Sequence, residues 1–170
     1  MLLVIGYGNT VRQDDQAGPL VAEKIEALAL PGVITLVCAQ LSPEHAEPLA
    51  LAQAVVFVDA QAGPVLKVSL RRILPGDSSQ VTTHTVAPQT LLALARDVYG
   101  RVPPGWLLTI HAEWFEFGTE ISPLTRRGIE VAVGKVLKMA RRRSGSNAFT
   151  KRPDSWDEHE IPTGKKTIVC

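Results

Sequence analysis

"GYGNTVRQDDQAG", Gly6 to Gly18, follows directly on the apolar run "MLLVI" and leads into a helical pattern. Residues 2–6, "LLVIG", form a short continuous apolar run closed by glycine, which predicts a strand buried on both faces. After the aspartates, Leu20, Val21, Ile25 and Leu28 recur at helical spacing, and Pro19 fits a first-turn position. Two glycines one residue apart at a strand exit are how a dinucleotide-binding turn begins. Here Val11 stands where the third glycine belongs, and Asp14 and Asp15 arrive where phosphate would sit. Two carboxylates oppose the attraction that makes a helix N-terminus an anion site, and loss of the third glycine removes the close packing that the fingerprint uses. A cation suits this place better. One aspartate is explained as a helix cap or first-turn residue; both are not.

The remainder of the chain alternates strand and helix. "VITLVCAQL" (33–41) and "AVVFVDA" (54–60) read as buried strands, the second ending in Asp59. Between them "SPEHAEPLALAQA" starts a helix that Pro48 keeps short or broken. In "VLKVSLRRI" (65–73) apolar Leu66, Val68 and Leu70 alternate with polar residues, the mark of a half-exposed edge strand. The link from the strand before it is too short for a parallel crossover, so it is expected to run antiparallel. The loop 74–87 leads into the helix "PQTLLALARDVYG", ended by Gly100. "WLLTIHAEWFEFG" is the last strand and its exit. A closing helix starts at Ser122 as N-cap, with Ile129, Val133 and Val136 or Leu137 facing inward. The pattern predicts a three-layer α/β fold. Its mostly parallel twisted sheet has about five strands, one of them an antiparallel edge strand, with helices on both faces.

With 170 residues the chain accommodates one domain with a sizeable core. That domain is placed at 1–140, and the polar, charge-rich 141–170 is read as a flexible tail. With a net charge of +1, nothing in the overall balance argues for nucleic acid or an anionic membrane, and neither is expected as a partner. Cys38 and Cys170 build no disulfide framework and lack zinc spacing. No apolar stretch approaches the ~20 residues that span a bilayer, and no signal-peptide pattern opens the chain, so the cytoplasm is the expected compartment.

In such a sheet, ligands sit at the carboxyl ends of the strands. Asp59 ends a buried strand, where a carboxylate is costly unless hydrogen-bonded or metal-bound. Alone it reads as a turn cap or an acceptor of backbone N–H groups. His84, in "TTHTVAP" before a helix, alone reads as a surface histidine. If the strands leading to Asp15 and Asp59 are neighbours and the 74–87 loop crosses the same edge, the three side chains converge. Two oxygens and an imidazole suit a borderline divalent ion such as zinc or nickel.

"VIGYGNTVRQDDQAGPLVAEKI", "VVFVDA" and "HTVAPQTLLALA", in this order, resemble the peptidases that mature nickel–iron hydrogenases, and "HAEWFEFGTEISPLTRRGIEVAV" resembles the last strand and helix of that family. The resemblance spans about residues 1–140. It implies an endopeptidase, classified as aspartic-type, that removes a C-terminal extension from the hydrogenase large-subunit precursor after nickel insertion. It assigns the metal-contacting positions to Asp15, Asp59 and His84, with Asp15 and Asp59 as the catalytic acids, and it leaves Asp14 to capping. The nickel is implied to arrive with the precursor, with no permanently bound cofactor; the chain itself is expected to be a monomer. Many members carry an Asp-Gly-Gly-Thr-like stretch after the second strand. "CAQLSPE" (38–44) stands there instead and resembles the branch serving bidirectional, NAD-linked hydrogenases.

The alternative is a non-enzymatic nucleotide- or metal-binding module. A zinc hydrolase using the same three residues and a scaffold that merely holds the precursor also compete. Glu113 and Glu116 read as exposed strand-end acids, His111 as a satisfied strand-end histidine, and His45 and His159 as residues without companions at useful spacing.

Overall fold

The computed structural model describes residues 1–63, 68–80, 86–144 and 167–169. Strand β1 (Leu2–Tyr7) passes through a 3-10 turn (Gln13–Gln16) into α1 (Ala17–Ala27), and β2 (Val33–Cys38) leads through a second such turn (Pro43–His45) into α2 (Ala46–Leu51). Then come β3 (Ala54–Gln61), β4 (Ser69–Ile73), α3 (Pro88–Tyr99), β5 (Gly105–His111), α4 (Pro123–Ser144) and β6 (Thr167–Val169). The strand order is β4-β5-β3-β1-β2-β6. All described pairings are parallel except β4 with β5, so the antiparallel edge strand is where its alternation placed it. Residues 65–67 of the expected strand lie outside the described residues.

Period-two alternation builds the three layers. Leu3 and Ile5 of β1, with Val55 and Phe57 of β3, pack against Leu49, Leu91 and Leu92 of α2 and α3. Leu2 and Val4, with Val56 and Val58, face the opposite way onto Val21, Ile25, Ile129 and Val136 of α1 and α4. β1 and β3 are buried almost throughout because helices cover both faces. Gly100 ends α3 at φ 68°, its N–H donating to the Arg96 carbonyl.

The segment read as a tail from Arg141 contributes Arg141–Ser144 to α4, and its β-branched "TIV" run pairs Thr167–Val169 with Thr35–Val37 of β2. The rest of that segment lies outside the described residues.

The close helix–strand approach expected to be lost with the third glycine is present, because Gly18 supplies it. A Cβ on Gly18 would lie 2.4 Å from the Tyr7 carbonyl oxygen and 2.5 Å from that of Val58; one on Gly6 would lie 2.1 Å from the Gly18 oxygen. The start of α1 therefore touches the ends of β1 and β3 directly. Gly18→Ala must push backbone against backbone and should cost at least about 2 kcal/mol. Urea denaturation of the variant checks this, since a midpoint equal to wild type would mean that the contact is not tight.

Candidate active site

β1 and β3 are adjacent, so their carboxyl ends open onto one rim. Asp59 is half-buried there, and the turn after β1 brings Asp15 within electrostatic reach of it. Asp15 is held from both sides: its N–H donates to the Arg12 carbonyl at 2.9 Å, and its Oδ2 accepts the Asn9 N–H at 2.8 Å. Gly8 makes room at φ 144°, since a Cβ there would lie 2.0 Å from the Asp15 carbonyl oxygen. Burial pushes the Asp59 carboxyl up to about 6; a hydrogen bond from the Tyr7 hydroxyl opposes the rise, the charge of Asp15 adds to it, and the Ala60 N–H opposes it.

The third expected member, His84, lies outside the described residues. Among the described residues no cluster of three or more His, Cys, Asp or Glu side chains could hold a metal ion. The structure thus brings together Asp15 and Asp59.

Asp14 differs from its expected role as a cap. Fully buried, it makes no capping bond to its own helix and instead gathers donors from the β5–α4 connection. Its Oδ2 accepts the N–H groups of Glu113 (2.9 Å) and Trp114 (3.1 Å) and the hydroxyls of Ser122 (2.7 Å) and Thr125 (2.8 Å), while Oδ1 accepts the Ser122 N–H at 2.8 Å. Burial alone would raise this carboxyl, but the donors from Glu113, Ser122 and Trp114 outweigh it and hold the group below its ordinary range. Ser122 is the N-cap of α4 as expected, its Oγ accepting the Thr125 N–H at 3.2 Å.

The same two connections are clamped further out. The N–H groups of Gln13 and Gly118 donate to the carbonyls of Gly118 and Val11, and Arg12 stacks 4.9 Å from the Phe117 ring centroid. This clamp holds Gln13 at φ 40°, a left-handed conformation costing a non-glycine residue roughly 1 kcal/mol.

Three histidine and glutamate readings can be compared with the structure. His45 does have a companion: it is buried, and its Nδ1 lies 2.9 Å from both the N–H and the Oγ of Ser42, a capping box in "SPEH" with histidine in the acid's place. His111 is not satisfied, because its Nδ1 is buried with no hydrogen-bond partner among the described residues. Glu113 and Glu116 are exposed, as expected.

No protein-family model matches the chain, and no curated protein matches it. Solved structures do. The hydrogenase maturation protease HycI of Thermococcus kodakarensis superposes with a TM-score of 0.66 at 24% identity, over 82% of this chain and 92% of its own. The hydrogenase maturating endopeptidase HybD of E. coli gives 0.65 at 23%, over 85% and 93%. A hydrogenase 2 maturation peptidase of a Thaumarchaeota archaeon gives 0.60 at 26%, over 81% and 96%. The fold is that of the hydrogenase maturation proteases. No helix among the described residues is long and apolar enough to cross a membrane.

The two kinds of carboxylate should respond oppositely to pH. Asp14 binds its proton less readily in the folded state, so its contribution is fully present above the ordinary value of ~3.9 and is lost as pH falls through the folded value. Asp14→Ala should cost roughly 3–5 kcal/mol at pH 7, narrowing toward pH 3, as read by urea midpoints; a pH-independent cost would contradict the assignment. Asp59 binds its proton more readily when folded, so stability falls as pH rises from ~4 through 6. Asp59→Asn should therefore melt above wild type at pH 7.5 and level with it near pH 4 in thermal scans, and the opposite order would refute the raised value.

Proposed function

We propose that the chain is an endopeptidase that removes the C-terminal extension of a nickel-loaded nickel–iron hydrogenase large-subunit precursor. The observation carrying this is the meeting of Asp15 and Asp59 at the carboxyl rim of a sheet with the maturation-protease fold. His84 completes the set by its place in the sequence, before α3. In this reading the nickel is part of the substrate: the two carboxylates and the imidazole engage the ion carried by the precursor, and that engagement fixes the scissile bond beside Asp59.

The rim chemistry suits this. The negative charge of Asp15 helps to raise the Asp59 carboxyl, and a cation between the two acids relieves that repulsion. A carboxylate that engages the ion keeps further lone pairs able to take a proton from attacking water, so Asp59 is assigned as general base. Asp15, fixed by Asn9 and Arg12, supplies the second oxygen and the opposing charge. A phosphate-bearing nucleotide would meet these two acids at the same helix entrance, which disfavours the binding-module alternative. The "CAQLSPE" stretch points to a precursor of the bidirectional, NAD-linked branch.

Mass spectrometry of the purified precursor tests the proposal. Wild-type protein should release the C-terminal peptide from the nickel-loaded form alone, and Asp15→Ala, Asp59→Ala and His84→Ala should each slow release at least about 100-fold. Normal trimming by all three variants would overturn the site, and equal trimming of nickel-free precursor would overturn recognition through the metal.

A further inference from the structure

In the β1–β3 ladder Gly6 lies opposite Val58, so the next residues, Tyr7 and Asp59, are cross-strand neighbours at the rim. Leu3 and Ile5 alternate with Tyr7 on one face of β1, and Val55 and Phe57 with Asp59 on the same face of β3, the side covered by α2 and α3. The Tyr7 ring packs on that layer, with Cys38 of β2 opposite it in register. As neighbours on one face of adjacent strands, the two side chains are close enough for the Tyr7 hydroxyl to reach the Asp59 carboxylate. The terminal torsion of an aspartate is broad, and Asp15 repels this carboxylate, so a group held by one backbone N–H alone would be free to swing toward solvent.

Building on the reading of Asp59 given above, we propose that Tyr7 is the positioning residue of the site: its hydroxyl holds one oxygen of the Asp59 carboxylate and leaves the other presented toward Asp15 and the incoming substrate. A phenol is well suited to this. Its rigid ring is anchored by packing at the base, its donor sits at the tip, and two torsions fix its aim. Phenylalanine would keep the packing and lose the aim.

The test is steady-state trimming of nickel-loaded precursor by Tyr7→Phe, with Asp59→Ala and Cys38→Ala measured alongside and thermal unfolding recorded for each. Tyr7→Phe should lower kcat about tenfold, leave KM within about twofold and unfold within a few degrees of wild type, whereas Cys38→Ala should retain kcat. An unchanged kcat in Tyr7→Phe beside an inactive Asp59→Ala would overturn the role of Tyr7 alone. Equal losses in Tyr7→Phe and Cys38→Ala would likewise overturn it, by showing that packing is what matters. Normal trimming by Asp59→Ala would instead overturn the reading of Asp59 on which this role rests.

Discussion

A single buried carboxylate organises this rim. Asp14 accepts five hydrogen bonds from the segment joining β5 to α4, and it sits in the turn joining β1 to α1. An ionised group with no exposure is tolerable only when its lone pairs are filled, so the two connections are obliged to meet in one geometry. The Gln13–Gly118 and Val11–Gly118 bonds extend the same seam outward. The position of Asp15 follows, because it is the next residue and has little freedom once its neighbour is fixed.

Adjacent aspartates thus have opposite tasks. Asp14 faces inward, surrounded by donors, and is locked in its charged form. Asp15 faces the rim, where it meets Asp59, whose burial leaves charge inadequately compensated. That uncompensated negative pair is a cost in the free protein, and in the function proposed here it is what draws the cation of the precursor. Stability is concentrated one residue away from the place where it is given up, a common arrangement when a strained site must be held by its surroundings.

Much of this was legible in the sequence, for identifiable reasons. Buried strands announce themselves as apolar runs, and the edge strand showed its alternation through Ser69 and Arg71. The helix ends carried local signals in Ser122 and Gly100. What escaped were contacts between residues distant in sequence. The pairing of Asp14 with Ser122 and Thr125 has no local signature, so Asp14 read as a cap. Gly18 replaces the absent third glycine from seven positions further on, a substitution visible only when α1 is laid against β1 and β3. The His45 box was local but hidden, because histidine takes the place usually held by an acid. Asp15 and Asp59 could be nominated from their strand ends, but their proximity depended on β1 and β3 being neighbours.

The central claim is that the acids at this rim are arranged to receive a nickel ion. Anomalous diffraction at the nickel edge, from crystals soaked in a nickel salt, tests it most directly. The account predicts a peak roughly 2.0–2.2 Å from one oxygen of each of Asp15 and Asp59. Nickel bound elsewhere, with both carboxylates left unligated, would contradict it.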